Sequence, residues 1–126
     1  QNKIKLNITA VYTSNQTKKI LKSIDKKTRV IISIFAGRAA DAGKDPLPEF
    51  ITSIKLAKKF KNVEILWASV REPYNYLQAK KLGCHIITVP PAIIEKIEKF
   101  GNSYKSLTIN TVKNFLIDSK KSNFKI

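Results

Sequence analysis

Apolar and polar positions recur along the chain with two periods, and the switches between them lay out its elements. Ile4–Tyr12 alternates with a period of two: Leu6, Ile8, Ala10 and Tyr12 fall on one face of a strand, and Asn7, Thr9 and Val11 on the other. Ile20, Leu21 and Ile24 then mark the buried side of a helix that Ser14 or Asn15 can cap. Val30-Ile31-Ile32-Ser33-Ile34-Phe35 is an apolar, β-branched run, which predicts a strand covered on both faces, as in parallel sheets. Gly37 breaks that run, and Arg38, Asp41, Lys44 and Asp45 are expected on a loop that Pro46 closes. Pro46 and Pro48 suit a helix entrance, after which Phe50, Ile51, Ile54, Ala57 and Phe60 recur at helical spacing. A third strand, Val63–Ser69, leads to Val70-Arg71-Glu72-Pro73. A third helix follows Pro73, contains Tyr76, Leu77 and Ala79-Lys80, and stops at Gly83. Cys84–Val89 reads as the fourth strand and Ala92–Phe100 as the next helix, opened by Pro90-Pro91. After a loop at Gly101–Lys105, Ser106–Lys121 reads as a last helix carrying Leu107, Val112, Phe115, Leu116 and Ile117, followed by a frayed tail.

Strands alternating with helices predict an α/β fold with a parallel sheet and right-handed crossovers. Four β/α units with an added C-terminal helix make half of an eight-unit barrel or a small open sheet. No internal repeat or low-complexity linker divides the chain, so residues 1–126 are expected to form one domain or part of one. The chain begins with Gln1, not Met, and is expected to be a piece of a longer polypeptide.

Composition narrows the function. A single cysteine, Cys84, excludes an internal disulfide, and a single histidine, His85, leaves no zinc set. No run is long enough to span a membrane and no signal peptide is evident, so a cytoplasmic protein is the default expectation. The formal charge of +15 invites a nucleic-acid reading. The make-up of that charge argues against it: of 24 basic residues only Arg29, Arg38 and Arg71 are arginine, the residue favoured for bidentate phosphate and base contacts. The lysines fall mostly on helices, with few aromatics among them to stack on bases. A lysine-rich surface is the better account, and nucleic acid is not expected as a partner.

The candidate chemistry gathers at strand ends. Asn7 and Thr9 lie on the first strand, Ser33 and Arg38 on and after the second, and Ser69 and Arg71 at the end of the third. In a parallel sheet these ends open on one side, and two arginines and two serines there would hold a doubly charged anion such as a phosphate shared by Arg38 and Arg71. Gly37…Gly43-Lys44 misses the nucleotide P-loop: five residues separate the glycines where that motif has four, and Asp45 replaces the magnesium-binding hydroxyl. Cys84 and His85, adjacent on a strand, point to opposite faces, so core packing is the better reading for Cys84.

Asn7-Ile8-Thr9-Ala10, Ile32-Ser33-Ile34-Phe35-Ala36-Gly37-Arg38 with Asp41, Ala68-Ser69-Val70-Arg71 and Gly83-Cys84-His85-Ile86-Ile87-Thr88-Val89 resemble, in order and spacing, the second half of the transaldolase family, which includes the fructose-6-phosphate aldolases. The resemblance runs from Ile4 to about Phe124, and the ending resembles a bacterial subgroup of short chains. It implies a class I aldolase on a TIM (β/α)8 barrel, of which this chain is strands five to eight plus a C-terminal helix, with no metal or other cofactor. It implies a sugar-phosphate substrate and a lysine Schiff base with the ketose donor. It implies that Asn7 contacts the dihydroxyacetone unit, that Thr9 helps hold the catalytic water, that Ser33 and Phe35 line the substrate site, and that Arg38, Ser69 and Arg71 hold the phosphate.

The chain also departs from that pattern. The family's Schiff-base lysine lies on the strand before Asn7, and Lys3 and Lys5 stand at the start of the fifth strand or its approach, not there. The chain by itself is therefore expected to be inactive, and to dimerise, aggregate or stay partly molten through its uncovered sheet face and edges; a homo-oligomer is an option. The alternative function is a non-catalytic phosphate- or nucleic-acid-binding α/β module.

Overall fold

The computed structural model of the protein describes residues 5–122. Four strands, β1 (Lys5–Val11), β2 (Arg29–Phe35), β3 (Val63–Ala68) and β4 (Ile86–Ile87), pair in parallel in their chain order. Six helices accompany them among the described residues: α1 (Ser14–Ser23), α2 (Ala36–Asp41), α3 (Leu47–Ala57), α4 (Tyr74–Leu82), α5 (Pro91–Ile97) and α6 (Tyr104–Ser122).

The two faces of the sheet differ. Val30, Ile32 and Ile34 of β2 and Val63, Ile65 and Trp67 of β3 point one way, into a core closed by Leu21 of α1, Phe50, Ile54 and Ala57 of α3, and Ala79 of α4, with Ile93 of α5 packed against it. Phe50 stacks on Trp67 with ring centroids 4.5 Å apart. Between α1 and α3 the buried hydroxyls of Thr17 and Ser53 satisfy each other at 2.8 Å. The opposite face carries Ile31, Leu66 and Ala68 with Phe35 and Ile86 against them, all strand residues. Helices thus cover one face only among the described residues, unlike a doubly wound sheet and consistent with half of a TIM-barrel wall.

Several expectations change in detail, each for a local reason. Thr13, not Ser14 or Asn15, caps α1: its hydroxyl accepts the Gln16 N–H, while the Gln16 side chain accepts the N–H groups of Tyr12 and Thr13. In β1 the alternation fails near its end. Ala10 adopts φ +56°, and the register slips between Ile8 (opposite Ile32) and Val11 (opposite Ile34), so Val11 joins the helix-side core. The expected loop after Phe35 is a helix, α2, which takes in Gly37, Arg38 and Asp41. Gly37 is not a breaker: a Cβ there would lie 1.9 Å from the Ser69 carbonyl oxygen, so glycine serves close approach to the segment after β3. Ile51 and Leu77 are exposed, and Phe60 lies beyond the end of α3.

The fourth strand shrinks from Cys84–Val89 to Ile86–Ile87, because Cys84 still belongs to the left-handed turn at Gly83 that ends α4. Helix α5 ends at Ile97, short of Phe100, and α6 starts at Tyr104. Along α6, Leu107, Ile109, Val112, Phe115, Leu116 and Ile117 are 44–56% exposed, so its apolar residues lie off both clusters. Ile4 and the tail from Asn123 lie outside the described residues.

Candidate functional site

The helix-free face carries the first group of sequence-predicted site residues. Asn7 stands opposite Ile31 in the β1–β2 ladder, which puts Asn7 on the face that also bears Ile31, Ser33 and Phe35, while Thr9 falls within the register slip that follows Ile8. The Ser33 hydroxyl donates to Asn7 Oδ1 at 2.7 Å. Ser33 is buried between its strand neighbours, whereas Asn7 and Thr9 are exposed. Phe35 meets Tyr12 edge-on, with centroids 6.1 Å apart. A hydroxyl held on a carboxamide, with an aromatic wall above it, can bind the oxygens of a small polyol or ketose while excluding bulk water from one side.

The second group forms the rim beyond the C-terminal ends of β2 and β3. Ser69 takes a left-handed backbone, φ +64°, which turns the chain out of β3 so that its carbonyl and hydroxyl face Gly37. Arg71 follows, its Cγ also against Gly37, and its backbone N–H donates to Asn75 Oδ1 at 3.0 Å. Its guanidinium reaches Asp41 at the end of α2: Nη2 and Nε donate to Oδ2 at 2.8 and 3.3 Å. That hydrogen bond holds the Asp41 carboxyl below the usual carboxylate range, helped by the charges of Arg71 and Arg38, and Asp41 in turn raises the Arg71 pKa.

The rim bounds two adjoining hollows. Arg71 lines one of about 350 Å³ together with Gly37, Asp41, Trp67, Asn75 and Gln78. Trp67 is buried there, and its indole N–H has no partner among the described residues. Arg38, exposed on α2, lines a second hollow of about 580 Å³ with Tyr12, Thr13, Lys44 and Glu49. Asp45 and Pro46 border both. The structure therefore brings Asn7 to Ser33, and Ser69 and Arg71 to Gly37, while Arg38 and Arg71 line neighbouring hollows, not the same one. Asp41 was assigned no role from sequence; its spacing of three from Arg38 and four from Gly37 was the available signal, legible only once the segment is known to be helical.

Cys84 and His85 lie away from this rim. Cys84 packs against the helix-side core, its S–H donates to the Ile65 carbonyl at 3.2 Å, and burial pushes the thiol up to about 11. His85 Nδ1 accepts the Ile65 N–H at 3.0 Å beside Arg29 and Glu64, at the other end of the sheet. The two side chains serve backbone groups of β3, in keeping with the packing role expected for Cys84. Among the described residues no helix is long and apolar enough to cross a membrane.

The family model described as Transaldolase/Fructose-6-phosphate aldolase matches residues 1–126. The chain is similar to a protein of Nitrosopumilus maritimus named "Probable transaldolase", 35% identical over 121 residues that cover 94% of this chain and 50% of that protein. Proteins of the same name from Thermoanaerobacter sp. (33% identical, covering 98% of this chain and 53% of that protein) and Anaeromyxobacter sp. (30% identical, 96% and 53%) are also similar. The chain spans about half the length of these curated relatives.

Proposed function

Because the chain belongs to the transaldolase/fructose-6-phosphate aldolase family, we propose that it supplies strands five to eight of a (β/α)8 barrel in an enzyme of the cytoplasm. That enzyme transfers a three-carbon ketol unit, or cleaves and forms a ketose phosphate, through a lysine imine. The observation that carries this reading is the Ser33–Asn7 pair on the helix-free face, with Arg71 beyond the end of the next strand. In a closed barrel that face is the interior, and strand ends carry the chemistry. Asn7 and Ser33 would hold the ketose oxygens, Thr9 would hold the water used in imine formation and hydrolysis, and Phe35 would wall the site. Arg38, Ser69 and Arg71 would take the phosphate through charge-assisted hydrogen bonds. The imine lysine would come from the strand preceding β1, in the half of the barrel that these residues do not include. Lys5 does not serve, since it stands at the N-terminal start of β1, away from the rim.

The test uses the full-length polypeptide. Incubation with a ketose phosphate and sodium borohydride should reduce the imine to a stable secondary amine on a lysine outside this chain, read as a mass increment on one peptide. Absence of an adduct, or an adduct on a lysine within residues 1–126, would refute the reading. Arg38→Ala should raise the KM for a phosphorylated ketose about tenfold or more, since a charge-assisted bond to phosphate contributes roughly 1.5–3 kcal/mol. Equal loss with an unphosphorylated substrate would make Arg38 structural.

A further inference from the structure

Among the charged groups of the rim that the roles above leave unused, the Asp41 carboxylate is the one bonded to Arg71. On α2, Gly37 and Asp41 are four residues apart and so share a helix face, the one turned toward Arg71. Gly37 meets the stem of Arg71 at Cγ, and Asp41 meets its head. Arg38, one residue after Gly37, leaves α2 in another direction and lines the other hollow. The start of the Arg71 side chain is fixed as well, because Asn75 Oδ1 accepts the backbone N–H groups of Arg71 and Glu72 at 3.0 and 3.1 Å.

We propose that Asp41 is a positioning residue for the phosphate subsite, holding the Arg71 guanidinium by one edge so that its outer N–H groups stay turned toward the anion. This rests on the phosphate role given to Arg71 above. The geometry suits it. Asp41 Oδ2 engages Nε and Nη2, so both hydrogens of Nη1 and the second of Nη2 remain for another acceptor. The Arg71 and Asp41 side chains are 48% and 60% exposed, so an anion can reach the pair from solvent. An arginine so exposed would otherwise sample many rotamers, and a guanidinium fixed beforehand loses less freedom when the anion arrives.

The sign of the effect separates positioning from simple electrostatics. A carboxylate beside a phosphate repels it, so if charge alone mattered, Asp41→Asn would tighten binding. If Asp41 positions Arg71, Asp41→Asn should raise the KM for a phosphorylated ketose by about five- to tenfold, with kcat within about twofold and the KM for an unphosphorylated ketose unchanged. Asp41→Glu should recover most of the loss. Asp41→Asn combined with Arg71→Ala should be no worse than Arg71→Ala alone, because the first residue acts only through the second. The measurements are steady-state kinetics on the full-length protein. An unchanged or lowered KM in Asp41→Asn, or a loss that adds to that of Arg71→Ala, overturns the inference. If Arg71→Ala itself leaves the phosphorylated substrate unaffected while borohydride still traps the imine, the phosphate role of Arg71 falls and this inference with it. If Arg71→Ala raises the KM and Asp41→Asn does not, only the inference falls.

Discussion

Replacing Gly37 by alanine sets one methyl group against the backbone of the segment that carries Ser69 and Arg71. An ideal Cβ at position 37 would stand 1.9 Å from the Ser69 carbonyl oxygen, 2.8 Å from Arg71 Cγ and 2.9 Å from Ser69 Oγ. The closest of these is main chain, so no rotamer change relieves it: α2 or the turn at Ser69 must retreat by about an ångström. Ser69 already holds a left-handed φ of +64°, which limits how far that turn can adjust. Forcing a methyl into a filled space costs about 1–3 kcal/mol. Alanine recovers roughly 0.5–1 kcal/mol of helix propensity in α2, which leaves a net loss of up to about 2.5 kcal/mol. The assay is urea unfolding of the full-length protein with the m-value checked for constancy. Gly43→Ala is the control: Gly43 has φ +77° and open space around it, so that variant carries only the backbone term. The displaced Arg71 should also weaken selection for phosphorylated substrate in Gly37→Ala but not in Gly43→Ala. A Gly37→Ala protein as stable as wild type, with unchanged preference for phosphate, would refute the close-approach account.

Two further outcomes are expected. Thr17→Val should cost about 1–3 kcal/mol by stranding the buried Ser53 hydroxyl, while Thr17→Val with Ser53→Ala should recover much of it, because an unpaired buried group costs more than a deleted pair; additive losses in denaturant unfolding would contradict this. The Cys84 thiol is raised from 9.0 to about 11 by burial, so the folded state keeps its proton where the unfolded state has lost it. The associated stability is complete below pH 9 and falls as pH rises toward 11, by about 2–3 kcal/mol. Wild type should therefore lose stability relative to Cys84→Ala across that window, and parallel unfolding curves would exclude the effect.

The sequence made the large features legible because they rest on simple causes. The run Val30–Phe35 could only be a covered strand, and Pro73 and Gly83 bracket α4 through a fixed φ and a left-handed turn. What escaped depended on contacts between distant segments. Gly37 looked like a breaker because its reason, the Ser69 carbonyl, lies thirty-odd positions away. The slip at Ala10 turned Val11 inward against its alternation, through a backbone choice that no side-chain pattern records. The Ser33–Asn7 pair joins two residues named separately from the sequence, and the partnership itself appears only in the ladder register. Asp41 went unassigned because an exposed acid in a polar stretch has no signature until its partner is seen.

The strand order β1-β2-β3-β4 carries a kinetic consequence. Each ladder joins sequence neighbours and closes a loop of roughly 20 to 33 residues. Loop-closure entropy grows only slowly with length, so these closures differ by a few tenths of a kcal/mol. No pairing has to wait for a distant one, and the sheet can grow one strand at a time during synthesis. The β2–β3 ladder, six pairs long and flanked by the residues of both clusters, is the natural nucleus. With two paired positions, β4 is then the last strand to join and the first to open. Native-state amide exchange should rank them so, with Ile32 and Ile65 slowest and the amides around Ile86 and Ile87 exchanging well ahead of global unfolding.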